Sequence, residues 1–144
     1  MTSVAPITET RKQVVRRLVD EVMQGGDLDA IDELYTPSIA GAARRWIAPF
    51  RDAFPDVRME IVELVAERDT VVARFRCSGT HLGVWRGTPP TGRRFDDVDE
   101  VYFFGFVGDR IASAWGLEDT LSRMQQLGLS RRSTSGTRRG AAGS

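Results

Sequence analysis

The hydrophobic period changes once along this chain of 144 residues, and that change sets the order of its secondary structure. Before Val57, apolar residues recur every three or four positions, as on one face of a helix. From Val57 to Trp115 they mostly alternate with polar residues, as on half-buried strands. Helices followed by an antiparallel sheet are typical of an α+β domain. This order predicts a cone-shaped, curved antiparallel sheet whose mouth is closed by the N-terminal helices around one pocket.

Three helices are predicted in the first part of the chain. The first spans Thr8 to Met23 and is stopped by two glycines. Asp27 is suited to cap a short second helix that ends before Pro37. The third covers residues 40–54, with a kink expected at Pro49.

The alternating part predicts a meander of four strands. The first two meet at a turn over residues 67–69, and the last two at Gly108 and Asp109. Asp119 then resembles the N-cap of a closing helix that ends at Gly128. The sequence therefore predicts one domain over residues 1–129 and a disordered Arg/Ser/Gly tail over residues 130–144.

The composition of the chain limits the classes of molecule that it is suited to bind. Twenty basic and twenty acidic residues give zero formal net charge, so no overall field favours nucleic acid or an anionic membrane. A hydrophobic small-molecule ligand fits better. The lone Cys77 excludes an internal disulfide and is read as a buried core residue. No run is apolar enough to be a signal core or a membrane span, which predicts a cytoplasmic location.

One stretch resembles a known family. Gly79-Thr80-His81-Leu82-Gly83, followed by Trp85-Arg86-Gly87-Thr88-Pro89-Pro90-Thr91-Gly92-Arg93-Arg94, is similar to the HxGxxxGxPPTGR segment of SnoaL-like polyketide (ester) cyclases. Shorter pieces between Arg51 and Gly128 agree with it. The resemblance implies the nuclear-transport-factor-2-like fold, a homodimer, a role in secondary metabolism such as antibiotic biosynthesis, and cofactor-free intramolecular aldol closure of a polyketide ester.

Two of that family's functional positions are substituted here. Its pocket histidine falls at Tyr102, and its acid/base aspartate falls at Gly116. The long strand also carries one more residue between Phe95 and Tyr102 than the family pattern. A β-bulge there would shift Glu100 or Val101 into register.

Four residues are candidates for acid/base chemistry: Asp119, Glu100, His81 and Tyr102. His81 lies in phase with the apolar face of its strand, so it is either a pocket base or a hydrogen-bonded core residue. Tyr102 shares a strand face with Glu100, which could serve as its hydrogen-bond partner and as a base. The alternative is ordinary sheet packing with a solvated rim, and for Tyr102 packing is the favoured reading. Asp119 either replaces the missing aspartate or only caps its helix.

Four aromatic residues are predicted to contact the ligand: Trp85, Phe104, Trp115 and Phe75. Their flat rings suit a fused-ring molecule. No His/Asp/Glu set has metal-ligand spacing, and no glycine-rich phosphate loop follows a strand, so neither a metal nor a cofactor is predicted.

Two functions are consistent with these residues. The chain is either a small enzyme that moves protons on a hydrophobic, carbonyl-bearing metabolite, or a non-catalytic binding or assembly module that kept the fold. The candidate carboxylates favour the enzyme, and the substitutions at Tyr102 and Gly116 favour the binding module.

Overall fold

The helices lie on one side of the sheet, and their apolar side chains pack against the buried face of the sheet. A computed structural model describes residues Pro6–Leu129, so the predicted tail at 130–144 lies outside the described residues. Helix α1 spans Ile7–Arg17 and continues as a π-helical segment over Leu18–Gln24. A 3₁₀ turn at Leu28–Ala30 leads into α2, Ile31–Leu34, and α3 and α4 span Pro37–Ala53 and Thr120–Gln126.

The local signals for these helices act as predicted, with one shift in a boundary. The Asp27 carboxylate accepts a hydrogen bond from the Ala30 amide at 3.3 Å. Helix α3 begins at Pro37, three residues before its predicted start, because proline at the first helical position has a suitable φ and loses no hydrogen bond. The same helix continues through Pro49 to Ala53.

Four antiparallel strands form a meander in the order β1-β2-β3-β4. They span Arg58–Glu67, Thr70–Thr80, Arg94–Val107 and Arg110–Glu118. The inward face of β2 carries Val71, Ala73, Phe75 and Cys77, all of them buried. These side chains pack against Val15, Val22, Ile31 and Ile47 of the helices in one core, which confirms the α+β fold.

A β-bulge interrupts the pairing of β2 with β3, as the extra residue in the sequence predicted. Cys77 pairs with Val98 and Gly79 with Phe95, so Asp96 and Asp97 lie opposite the single residue Ser78. Asp97 has φ of 54°, and its amide donates to the Ser78 hydroxyl. The bulge keeps Phe95 and Val98 buried and sets Glu100 on the inward face.

Arg11 joins the two hairpin turns at one end of the sheet to α1. Its Nε donates to the Gly108 carbonyl at 2.8 Å, and its Nη1 donates to the Arg68 carbonyl at 2.7 Å. The guanidinium carbon lies 5.8 Å from the centre of the Phe106 ring. A buried arginine thus satisfies two carbonyls that the turns leave without strand partners.

Replacing Arg11 with Met should lower the free energy of unfolding by about 1–3 kcal/mol, because two carbonyls lose their donors while the alkyl stem is largely kept. Urea unfolding measures the change. Arg16→Met is the matched control, since Arg16 lies on the same helix, is partly exposed and, within residues 6–129, forms one salt bridge, with Glu9 at 3.8 Å. Equal losses in the two variants would contradict this role for Arg11.

Candidate active site

A narrow apolar cavity lies between the π-helical segment, α3 and the inward face of the sheet. The cavity has a volume of about 20 Å³, which is room for about one water molecule, and it opens into an outer mouth of about 560 Å³. Its apolar walls are Leu18, Val19, Met23, Trp46, Phe50, Met59, Phe75 and Phe104, and its polar lining residues are Glu100, Tyr102 and Glu118. The cavity and its mouth together suit a hydrophobic ligand that is oriented by few polar groups.

The register of β3 and β4 explains why the three polar residues meet. Glu100 pairs with Glu118, and Tyr102 pairs with Gly116. Directly paired residues of antiparallel strands point to the same face, and so do residues two apart on one strand. Both carboxylates and the phenol therefore face the cavity.

A buried arginine holds the two carboxylates. Arg123 of α4 is 1% exposed; its Nη2 donates to Glu100 at 2.5 Å and its Nη1 to Glu118 at 2.8 Å. The Tyr102 hydroxyl donates to the other oxygen of Glu118. The rings of Phe50 and Phe95 flank the guanidinium at 5.3 and 4.7 Å. The result is a continuous polar network, Tyr102–Glu118–Arg123–Glu100, in an otherwise apolar site.

The environment of Glu100 favours its protonated form. Burial has the largest effect, and the charge of Glu118 adds to it; together they raise the pKa of Glu100 to about 7 although Arg123 lowers it. Burial, followed by the charge of Glu118, also raises the pKa of Tyr102 above its usual range. The cavity thus holds a carboxyl group that can take up and release a proton near neutral pH, beside a neutral phenol.

Tyr102 and Gly116 depend on each other sterically. A Cβ atom at position 116 would lie 2.5 Å from the Tyr102 ring, which is closer than real side chains approach. The tyrosine ring therefore occupies the space that a side chain at 116 would need. A tyrosine at 102 thus goes with a residue that lacks a side chain at 116, and Glu118 brings a carboxylate to the same sheet face two residues further on.

Three of the four aromatic residues predicted to contact a ligand line the cavity or its mouth. Phe75 and Phe104 line the cavity with Tyr102 and Glu100, and Trp85 lines the outer part of its mouth. The expectation for Trp115 is wrong. It pairs with Phe103 on the opposite face of the sheet and is 58% exposed, because residues 114 and 116, not 115, share the inward phase of β4.

Asp119 does not belong to the cavity lining. Its carboxylate accepts a hydrogen bond from the Ser122 amide at 3.0 Å and so caps α4. Its backbone amide donates to the Asp99 carbonyl, which fixes α4 against β3. Of its two readings, capping is the one this geometry supports.

His81 organises the loop that carries the family resemblance. It is fully buried, and its Nδ1 accepts a hydrogen bond from the Thr91 amide at 3.1 Å. Backbone bonds from His81 to Arg93 and from Gly92 to His81 close the loop. The ring packs against Phe54 and Trp85 and is not among the residues that line the cavity. Its contacts are those of a core residue that holds the loop.

Glu118 and Arg123 were missed by the sequence reasoning. The closing helix was predicted from its apolar residues, yet Leu121 is 61% exposed while Arg123 is buried. Two features of the sequence indicate them. Glu118 is two residues after Gly116 and so shares its strand face, and Arg123 is four residues after Asp119 and so lies on the same face of the helix.

Two further observations concern metal ligands and membrane spans in residues 6–129. No group of three or more His, Cys, Asp or Glu side chains is placed to hold a metal ion within this range. None of the helices described there is long and apolar enough to cross a membrane.

Comparison with known proteins places the chain in a family. The family model for SnoaL-like polyketide cyclases matches residues 13–127. The chain is a member of the SnoaL-like polyketide cyclase family. No curated protein matches its sequence.

Solved structures share the fold of this SnoaL-like protein. A candidate SnoaL-like polyketide cyclase from Jannaschia sp. CCS1 is 24% identical, with a TM-score of 0.79 over 91% of this chain and 100% of that one. AclR, a candidate hydroxylase from Streptomyces galilaeus, is 24% identical, with a TM-score of 0.75 over 84% and 97%. TsrD from Streptomyces laurentii is 25% identical, with a TM-score of 0.72 over 88% and 99%. Proteins described as a cyclase and as a hydroxylase thus share one fold.

The raised pKa of Glu100 makes a prediction about stability. Between pH 4.5 and about 7 the carboxyl group ionises in the unfolded chain but not in the folded one, so it lowers stability as pH rises. Relative to wild type, Glu100→Gln should therefore gain stability across this window and level off above it. Urea unfolding at several pH values measures the difference. Glu60→Gln, at an exposed site on β1, is the control, and the same pH-dependent gain there would refute the assignment.

Proposed function

We propose that this protein closes a ring in a hydrophobic polyketide-like ester by cofactor-free intramolecular aldol addition, with Glu100 as the acid/base residue. The observation that carries the proposal is the position of Glu100: it is buried, it lines the apolar cavity, and its pKa is raised to about 7. A general acid/base group works best when its pKa lies near the working pH. Family membership supports the substrate class.

The proposed reaction balances without an oxidant. The Glu100 carboxylate takes the proton from a carbon flanked by two carbonyls, and the enolate oxygen accepts a hydrogen bond from the Tyr102 hydroxyl, which turns from Glu118. The enolate carbon attacks a ketone carbon of the same molecule and forms the new C–C bond. The ketone oxygen, now an alkoxide, receives the proton back from Glu100. The product is an isomer of the substrate.

Arg123 and Glu118 position this pair. Arg123 donates to both carboxylates, and Glu118 holds the Tyr102 hydroxyl until the hydroxyl turns to the enolate. The negative charge of Glu118 helps to keep Glu100 protonated until pH approaches neutrality. Glu118 is thus a positioning residue that also tunes the base.

Substitution of Glu100 tests the reaction directly. With a polyketide methyl ester as substrate, Glu100→Gln should lower kcat/KM by about 10²- to 10⁴-fold, because the base is lost. Tyr102→Phe should lower it by about 10²-fold, because a hydrogen bond to the enolate is lost. Asp119→Asn is the matched control, since Asn also caps helices and the side chain lies outside the cavity lining. A wild-type rate in Glu100→Gln would disprove the assignment.

The pH profile separates tuning from simple loss of structure. Wild-type kcat/KM should rise with pH through about 7, as Glu100 becomes a carboxylate. In Glu118→Gln the rise should occur at lower pH, because a neighbouring negative charge is removed and Arg123 remains beside Glu100. An unchanged profile in that variant would contradict the tuning role.

A non-catalytic ligand-binding module is the second candidate. The observation that favours it is the coupled substitution of Tyr102 and Gly116, which removes the two side chains on which the family resemblance places the chemistry. Binding of aromatic polyketides with no turnover of any ester by the wild type would establish this function instead.

We also propose that a second copy of this chain covers the outer face of the sheet. That face exposes Phe103, Trp115 and Leu117 together with Arg74 and Asp99, so it is apolar and carries both charges. Such a surface can be self-complementary about a two-fold axis. Trp115→Glu should shift the protein from dimer to monomer in sedimentation, and Leu121→Glu, at an exposed apolar site on α4, should not. A monomeric wild type would refute this.

A further inference from the structure

The mouth of the cavity is bordered by a two-residue hairpin turn with an unusual residue in it. The amide and carbonyl of Trp85 exchange hydrogen bonds with those of Thr88 at 3.0 and 2.8 Å. The two residues between them, Arg86 and Gly87, have φ of 50° and 77°. Positive φ at both central positions defines a type I′ turn, in which Asn-Gly is the preferred pair.

Arginine is poorly suited to its position in this turn. A left-handed backbone costs a side chain other than Gly, Asn or Asp on the order of 1 kcal/mol. The strain is local, and a change to Asn would relieve it without altering the turn. An arginine at this strained position points to a role for its side chain.

The Arg86 side chain lies where a ligand would leave the cavity. Its guanidinium carbon is 5.2 Å from the centre of the Trp85 ring, and both residues line the outer mouth. That mouth shares Trp46, Phe50, Tyr102 and Glu118 with the inner cavity. Within residues 6–129, Arg86 makes no salt bridge, whereas the inner arginine, Arg123, is paired with two carboxylates.

The charges therefore differ between the two ends of the cavity. The inner end has two carboxyl groups on one guanidinium, which disfavours a ligand anion there. The outer end has a guanidinium with a free planar edge, which can bind a carboxylate with two hydrogen bonds. Trp46, Phe50 and Glu118 line both the cavity and its mouth, Glu100 lines the cavity but not the mouth, and Trp85 and Arg86 line the mouth but not the cavity.

We propose that Arg86 binds a carboxylate on the substrate, so that the preferred ligand is an apolar, ring-bearing molecule with an acidic tail that stays at the mouth. Binding of the tail would fix which end of the molecule reaches Glu100 and Tyr102. This inference rests on the proposed function for the orientation of the substrate, but the site itself is tested by binding alone.

The test uses a series of ω-(2-naphthyl)alkanoic acids with two to six methylene groups, each compared with its own methyl ester. Isothermal titration calorimetry gives the affinities. At low salt, at least one acid should bind wild type about 3- to 10-fold more tightly than its ester, as expected for a partly exposed charge pair. The preference should shrink as salt screens the charges.

Arg86→Asn is the informative variant. It should abolish the preference for the acid, leave binding of the ester within about 2-fold, and raise the midpoint of thermal unfolding by roughly 2–4 °C, because the turn loses its strain. Arg86→Lys should keep part of the preference. Arg110→Gln is the charge-matched control: Arg110 is exposed and lies at the start of β4, whereas Glu118 is at its end.

Several results would overturn the proposal. They are an absence of binding by every acid, equal affinity of acid and ester for wild type, equal weakening of both by Arg86→Asn, or the same loss in Arg110→Gln. If the acids bind through Arg86 but no ester of this class is turned over, the carboxylate site stands and the proposed reaction fails.

Discussion

The site depends on one buried guanidinium. Arg123 is enclosed by the rings of Phe50 and Phe95 and donates to Glu100 and Glu118. Two carboxyl groups this close would repel each other if both were charged and no cation lay between them. Removing the arginine would leave buried carboxyl oxygens without their hydrogen-bond donor, which costs about 1–3 kcal/mol for each unsatisfied group. The pair therefore exists on β3 and β4 only because α4 brings Arg123 against them.

The position of α4 depends in turn on the bulge in β3. Gln126 of α4 accepts a hydrogen bond from the Asp96 amide and donates to the Asp96 carbonyl, so it satisfies both backbone groups of this bulge residue. Asp119 starts the helix and is bound to the Asp99 carbonyl. The bulge also sets the phase of Glu100. The bulge at Asp96 and Asp97 thus fixes the position of Glu100 and the position of α4, which carries Arg123.

The sequence was sufficient for much of the fold. The change from helical to alternating period predicted the element order, and the extra residue in the long strand predicted the bulge. Glu100, Tyr102, Phe75 and Phe104 were found because residues two apart on a strand share a face. Trp115 lies on the other face because the register of β4 with β3, which shifts between Gly105 and Phe106, puts residues 114 and 116 in the inward phase.

The sequence by itself determined the order of helices and strands, the caps at Asp27 and Asp119 and the family, because these depend on local backbone preference and on contiguous motifs. The tertiary structure decided which charges meet. Arg123 and Glu118 look like surface residues in sequence, since their burial comes from side chains contributed by α3 and β3, far along the chain. It also decided that His81 supports a loop and that Tyr102 fills the space above Gly116, because both depend on distances between elements that local pattern does not encode.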